Sequence, residues 1–184
     1  MGEVVEWVED EFMERCSHAL VHEGRAWLVD PVDNPRVNEL DDVAGVIQLL
    51  DRHNRDCAQL AARFRVPHNV VPQERIGPFQ FIPVKMSRRW REVALWWPEC
   101  ATLVCADALG TAEYYCAGNE RLAVHPLMRF RPPCFDVRPE TILCGHGPGL
   151  SEDADGALRE ALRTSRRRAP KQLVSAVRAW RRTR

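Results

Sequence analysis

The first half of the chain alternates short apolar runs with polar turns, a pattern typical of β-strands. The runs "HALVH" and "RAWLVDPV" flank a Glu23-Gly24 turn and predict a hairpin. The apolar run Val43–Leu50 predicts a strand buried on both faces. Good helix formers follow it in "RDCAQLAARFR", which predicts a helix directly after the buried strand.

The second half continues this pattern and then changes period. "NVVPQ", "FQFIPVK", "EVALWWP" and "ATLVCAD" predict four strands punctuated by prolines, and "ETILCGHGPGL" predicts a strand that ends in a glycine-rich turn. Two amphipathic helices are predicted from about residue 153, at 153–167 and 170–182, with Pro170 in the first turn of the second. The apolar face of that second helix is Leu173, Val174, Val177 and Trp180. With no repeat or linker, residues 1–184 are interpreted as a single domain.

Composition excludes several classes of protein. The chain has 184 residues, of which 45% are hydrophobic, enough for a packed core. Lys+Arg and Asp+Glu are both 26, so no overall charge points to nucleic acid or to a membrane surface. The arginine-rich C-terminal region is interpreted as a solvated face, and nucleic-acid binding is not expected.

The N-terminus and the cysteines predict the compartment. The N-terminus is acidic and lacks a long apolar core, and no run reaches the length of a membrane span. The seven cysteines are odd in number and form no C-x-x-C pair. Reduced thiols and a cytoplasmic location are therefore predicted.

Three polar turns at strand ends carry the candidate chemistry. "DRHNRDC" (residues 51–57) follows the buried strand, and "CADALGT" and "CGHGPG" follow two later strands. In layered α/β proteins, ligands and catalytic groups collect at such strand ends. His53 and His125 are interpreted as turn or loop residues.

The order of these three segments resembles the metallo-β-lactamase superfamily. That resemblance implies a four-layered αββα sandwich with metals at one edge of two facing sheets. Aligned on Asp56, the His-x-His-x-Asp-His motif of the family corresponds to Arg52, Asn54, Asp56 and Cys57. Asp107 corresponds to the bridging Asp, and His146 to the last histidine.

The resemblance implies that one of the two metal sites of the family is lost. Arginine stays cationic and has no lone pair for a metal, so Arg52 and an arginine at position 88 or 89 remove the first site. The second site would keep Asp56, Cys57, Asp107 and His146, a set that suits one Zn²⁺. Such a protein would be a hydrolase of esters, thioesters or lactones with a single metal.

The alternative is a protein without metal. Asp56 and Asp107 would then pair with arginines, or Asp56 would cap the helix. Arg52 is expected to point into the cleft and pair with Asp107 or Asp56. A cleft lined by Arg52, Asn54, Arg88 and Arg89 would bind an anionic small molecule or a partner. This metal-free alternative is favoured, and neither the oligomeric state nor the substrate is predicted.

Overall fold

The computed structural model describes residues 2–182, without the side chains of 176–180 and 182. In these residues the strands and helices are β1 (Glu3–Val8), β2 (Cys16–His22), β3 (Arg25–Val29), β4 (Val43–Gln48), α1 (Cys57–Phe64), β5 (His68–Val70), β6 (Gln80–Ser87), β7 (Trp90–Trp97), β8 (Thr102–Cys105), β9 (Leu109–Gly110), β10 (Ala123–Val124), β11 (Thr141–Cys144) and α2 (Ala154–Arg182). Short 3-10 helices lie at Pro35–Glu39, Pro98–Cys100 and Pro126–Met128.

Two sheets face each other. The first has the order β1-β2-β3-β4-β5, and the second has the order β11-β8-β7-β6. The predicted hairpin is confirmed, since β2 and β3 pair antiparallel with His22 opposite Arg25. β4 lies between β3 and β5 and is parallel to both, which explains its apolar run.

The helices cover the outer faces, which completes the αββα sandwich. Leu60 and Ala61 of α1 pack with Leu28 and Val46 of the first sheet. The N-terminal half of α2 joins the main core through small and apolar residues. No helix within residues 2–182 is long and apolar enough to cross a membrane.

The C-terminal region differs from the prediction of two helices. One helix, α2, runs through Pro170, which lies in its interior rather than in a first turn. The predicted apolar face is wrong where it can be checked, because Leu173 and Val174 are 65% and 51% exposed. Gln172 is buried instead, and its side-chain amide donates to the Tyr114 carbonyl at 2.8 Å. The side chains of Val177 and Trp180 lie outside the described residues.

The two sheets are joined at one end of the sandwich by backbone hydrogen bonds. On one side, Val93 N donates to Leu49 O at 3.0 Å, which ties the start of β7 to the chain after β4. On the other, Cys16 N donates to Gly145 O at 2.9 Å, which ties the start of β2 to the chain after β11. The turns that follow β4, β8 and β11 therefore meet between these two connections.

Candidate metal centre

Three side chains from these three turns converge at the joined end. His53 follows β4, Asp107 follows β8, and His146 follows β11. His53 Nε2 lies 2.9 Å from Asp107 Oδ1, and His146 Nε2 lies 3.2 Å from the same oxygen. Among the described residues, these three form a cluster whose candidate ligand atoms all lie within 4.8 Å of one another.

The far nitrogen of each imidazole is held by an acceptor. His53 Nδ1 lies 3.2 Å from Asp30 Oδ2, and His146 Nδ1 lies 2.8 Å from the Met13 carbonyl. A carbonyl or carboxylate oxygen can only accept, so both Nδ1 atoms must carry the proton. In the neutral rings, each Nε2 then presents a lone pair toward Asp107, and an acceptor on Nδ1 is what orients a histidine for a metal ion.

The cluster is strongly polarised. Burial acts to lower the pKa of His53, but the carboxylates of Asp107 and Asp30 outweigh it and raise that pKa to about 9. Burial acts to raise the pKa of Asp107, but the imidazoles of His146 and His53 outweigh it and hold that pKa well below its usual range. Without an ion, the cluster would therefore exist as an imidazolium–carboxylate group.

The geometry of Asp107 fits a metal ion. Its Oδ1 is buried, and the groups that the structure places beside it are the two imidazole Nε2 atoms, at 2.9 and 3.2 Å. Atoms bound to one ion at about 2.0–2.1 Å are separated from each other by roughly 3.0–3.4 Å. The two separations from Asp107 Oδ1, 2.9 and 3.2 Å, are close to that spacing, and two imidazoles with one carboxylate suit Zn²⁺ or Fe²⁺.

Arg55 fixes the turn that carries His53. Its guanidinium donates to the carbonyls of Asp30 at 2.8 Å and Gly145 at 3.0 Å, and also to the Cys16 carbonyl. The residue has φ +38°, a left-handed backbone that is uncommon for a side chain of this size. One cation thus ties the turn after β4 to β2, β3 and β11.

Glu92 fixes the turn that carries Asp107. Its carboxylate is fully buried and accepts from the backbone N–H of Asp107 at 2.9 Å and of Ala108 at 2.7 Å. Trp90 Nε1 donates to its other oxygen at 2.8 Å. Burial, reinforced by the charge of Asp107, raises the pKa of Glu92 to about 7.

Two glycines let the turn of His146 pack closely. A Cβ on Gly145 would lie 2.4 Å from the Ala106 carbonyl oxygen, and one on Gly147 would lie 2.2 Å from Ala112 N. Gly147 also has φ +82°, in the left-handed region. Larger residues would push His146 away from Asp107.

An aromatic wall covers the cluster. Tyr115 stacks on His146 with ring centroids 5.9 Å apart and donates its hydroxyl to the Asp107 carbonyl at 2.9 Å. Tyr114 meets His146 edge-on at 6.0 Å. Because Gln172 holds the Tyr114 carbonyl, α2 helps to position this wall.

The predicted ligand set comes together only in part. Asp107 and His146 are neighbours, whereas Asp56 and Cys57 are not in the cluster formed by the described residues. Asp56 Oδ2 accepts from Asp33 N at 2.8 Å, and Asp56 precedes α1 without a side-chain capping bond. Cys57 is buried with its thiol toward the His53 carbonyl at 3.5 Å, and burial raises the pKa of that thiol.

The expected pairing of Arg52 with Asp107 or Asp56 is wrong. The Arg52 guanidinium stacks on Trp90 at 4.6 Å, donates to the Arg89 carbonyl and lies 3.8 Å from Asp51. The next residue, His53, faces Asp107 instead and is 9% exposed, which also corrects its interpretation as an exposed turn residue.

The other predicted cleft residues lie on the surface. Arg88 and Arg89 are exposed in the turn between β6 and β7. Asn54 is exposed and lies 3.5 Å from the Gln48 side-chain amide. None of these three belongs to the cluster of His53, Asp107 and His146 formed by the described residues.

Comparison with solved structures identifies the architecture. A diflavin flavoprotein A 5 fragment from Nostoc sp. PCC 7120 is 13% identical, covers 94% of this chain and 93% of its own, and has a TM-score of 0.54. TTHA1623 in a di-iron-bound form is 14% identical, covers 85% and 98%, and has a TM-score of 0.53. A metallo-β-lactamase from Erythrobacter litoralis is 12% identical, covers 92% and 87%, and has a TM-score of 0.49.

The chain shares the fold of the flavoprotein fragment and of TTHA1623, which is the metallo-β-lactamase fold. This confirms the fold class predicted from the three turns, and identities this low show the fold alone. No protein-family model matches the sequence, and no curated protein matches it. Within the metallo-β-lactamase fold, the cluster described above lies at the edge where the two sheets are joined.

Proposed function

We propose that this metallo-β-lactamase-fold protein binds one divalent transition-metal ion through His53, Asp107 and His146. The observation that carries the proposal is the convergence of two Nε2 atoms on one buried carboxylate oxygen, with both Nδ1 atoms already engaged. Zn²⁺ and Fe²⁺ are the ions that this donor set fits best. The ligand set differs from the one predicted from the sequence by taking His53 in place of Asp56 and Cys57.

We further propose that the protein is a hydrolase of esters, thioesters or lactones that carry a negative charge. A bound ion would supply Lewis-acid polarisation of a carbonyl oxygen at the cluster. Arg52, which is 46% exposed in its side chain, would attract the anionic end of the substrate from the Trp90 side. Arg55 and Glu92 would hold the ligand turns in place. The seven cysteines, all free, suit a reducing compartment such as the cytoplasm.

The second candidate function is metal-free binding of an anion. It is favoured by the electrostatics of the cluster, because the raised pKa of His53 and the lowered pKa of Asp107 let protons take the place of an ion. Arg52 and the exposed turn at 88–89 would then supply the binding surface.

A hydrolysis assay separates the two candidates. Chromogenic esters, thioesters and lactones, each with and without a carboxylate, would be offered to the purified protein with zinc or with a chelator. We expect zinc-dependent turnover of the carboxylated substrates, lost in His146→Ala and kept in His22→Ala, a histidine at the end of β2 outside the cluster. Turnover that survives the chelator, or that His146→Ala leaves intact, would contradict the metal-dependent function.

A further inference from the structure

His125 is a half-buried histidine next to the cluster that the metal site does not use. Its backbone N–H donates to the Ala108 carbonyl at 3.0 Å, one residue beyond Asp107. Its ring meets Trp90 edge-on at 4.9 Å and Tyr115 at 5.6 Å. The His125 ring therefore packs between Trp90, whose face contacts the Arg52 guanidinium, and Tyr115, which stacks on His146.

The tautomer of His125 follows from one hydrogen bond. Nδ1 accepts from the backbone N–H of Leu127 at 3.2 Å and so caps the short helix Pro126–Met128. A backbone N–H can only donate, so Nδ1 must be unprotonated. A neutral ring then carries its single proton on Nε2.

The surroundings of His125 keep its ring neutral and leave its Nε2–H without a hydrogen-bond acceptor among the described residues. Burial lowers the pKa of His125 to about 4, against the opposing charge of Asp107. Nε2 makes no hydrogen bond to any residue that the structure describes, and it is not among the buried unbonded atoms of the described residues. His125 thus offers an accessible N–H of fixed orientation at the edge of the cluster.

The charges around the cluster show which end of a ligand this donor meets. On the side of His146, the loop between β1 and β2 is acidic overall, with Glu9, Asp10, Glu11 and Glu14 against one cation, Arg15, which pairs with Glu11. On the side of Trp90 the exposed face of the ring carries the cation Arg52, with Asp51 3.8 Å from its Nε, while the Glu92 carboxyl bonded to the ring is fully buried. A ligand with one anionic end would turn that end toward Arg52 and His125.

We propose that His125 is a binding residue that donates its Nε2–H to an oxygen of an anionic ligand, a carboxylate or phosphate, held jointly by Arg52. The inference deepens the proposed function, on whose site it rests, but it needs no metal for its first test. The charge of Arg52 attracts an anion from any direction, whereas the N–H of neutral His125 makes a directional hydrogen bond to one acceptor oxygen. The ring stays neutral near neutral pH, so this donor is not lost there.

Two substitutions separate the two roles of the ring. Asn places an oxygen two bonds from Cβ, as His places Nδ1, so His125→Asn keeps the cap and loses the donor. Gln places an N–H group three bonds from Cβ, as His places Nε2, so His125→Gln keeps the donor and loses the cap. If His125 had only a structural role, both variants would lose stability, and phosphate binding would not be weakened in His125→Asn and kept in His125→Gln.

The test uses ¹⁵N-labelled full-length protein and inorganic phosphate as the probe, first with a chelator and then with zinc. We expect long-range ¹H–¹⁵N spectra to show the neutral Nε2–H tautomer at pH 7 and its Nε2 signal to shift saturably with phosphate. We expect His125→Asn to weaken phosphate binding about tenfold and to lower the melting temperature less than His125→Gln does. His125→Gln should melt earlier and bind phosphate within about threefold of wild type.

The outcomes distinguish this inference from the metal proposal. The Nδ1–H tautomer, equal weakening by Asn and Gln, or no phosphate binding in either condition would overturn the role of His125. Phosphate binding that depends on His125 in a protein that binds no zinc would support this inference and contradict the metal centre.

Discussion

At the scale of single residues, two hydrogen bonds decide what the cluster can hold. Because Asp30 and the Met13 carbonyl occupy the Nδ1 atoms of His53 and His146, both Nε2 atoms are committed to Asp107. The sequence indicates Asp107 and His146 but not His53. A polar turn has no period, so it does not reveal which of two consecutive residues, Arg52 or His53, faces the cleft. Asp30, which follows the apolar strand in "RAWLVDPV", is the feature of the sequence that indicates a partner for His53.

Arg55 provides a residue-scale prediction. Arg55→Ala leaves the carbonyls of Cys16, Asp30 and Gly145 without their shared donor, so we expect the free energy of unfolding to fall by roughly 2–4 kcal/mol. The matched control is Arg63→Ala, whose exposed pair with Asp33 should contribute less than about 1 kcal/mol. Urea unfolding followed by circular dichroism measures both, and equal losses in the two variants would show that Arg55 is not a structural tie.

At the scale of elements, the pattern of the sequence predicts strands that are long or flanked by clear turns. The β2–β3 hairpin, β4 and β7 are of this kind. The hydrophobic pattern does not predict β9 and β10, because each strand has only two residues and forms by pairing with the other. The sequence predicts a helix boundary at Pro170, but α2 continues through it, with the proline exposed to solvent. Ala169 and Gln172 on either side of the proline are buried, so packing of the helix overrides the local preference of proline to begin a new one.

The contact between β1, β2 and the turn after β11 gives a pH prediction. Burial acts to raise the pKa of Glu6, but the His18 imidazole at 3.0 Å and the Gly149 N–H outweigh it, so the pKa lies below its usual value. The stabilisation is therefore complete above the unfolded pKa of about 4.3 and is lost as the pH falls through the lower folded pKa. We expect Glu6→Gln to be less stable than wild type at pH 6 and the difference to shrink below pH 4.

The control for this prediction is Glu3→Gln, an exposed residue of the same strand. Its stability should follow that of wild type at every pH. Urea unfolding at a series of pH values measures all three proteins. A difference between wild type and Glu6→Gln that stays constant down to pH 3 would argue against a stabilising ionised Glu6.

At the scale of the whole molecule, the candidate centre and the fold depend on the same connections. The turns that carry His53, Asp107 and His146 lie where hydrogen bonds join the two sheets. An ion bound to all three would therefore cross-link both sheets in the folded state and have no equivalent site in the unfolded chain. We expect zinc at one hundred times its dissociation constant to add about 2.7 kcal/mol to the free energy of unfolding. A melting temperature that zinc leaves unchanged would contradict this coupling.

The most direct test of the centre is zinc stoichiometry. Wild type, His53→Ala and His22→Ala would be stripped with a chelator, titrated with Zn²⁺ by calorimetry, and checked by elemental analysis after desalting. We predict one zinc per chain for wild type and for His22→Ala, with affinity weakened at least about tenfold in His53→Ala. Three results would contradict a single ion held by His53, Asp107 and His146. Wild type could bind no zinc, it could bind two ions per chain, or His53→Ala could bind zinc as tightly as wild type.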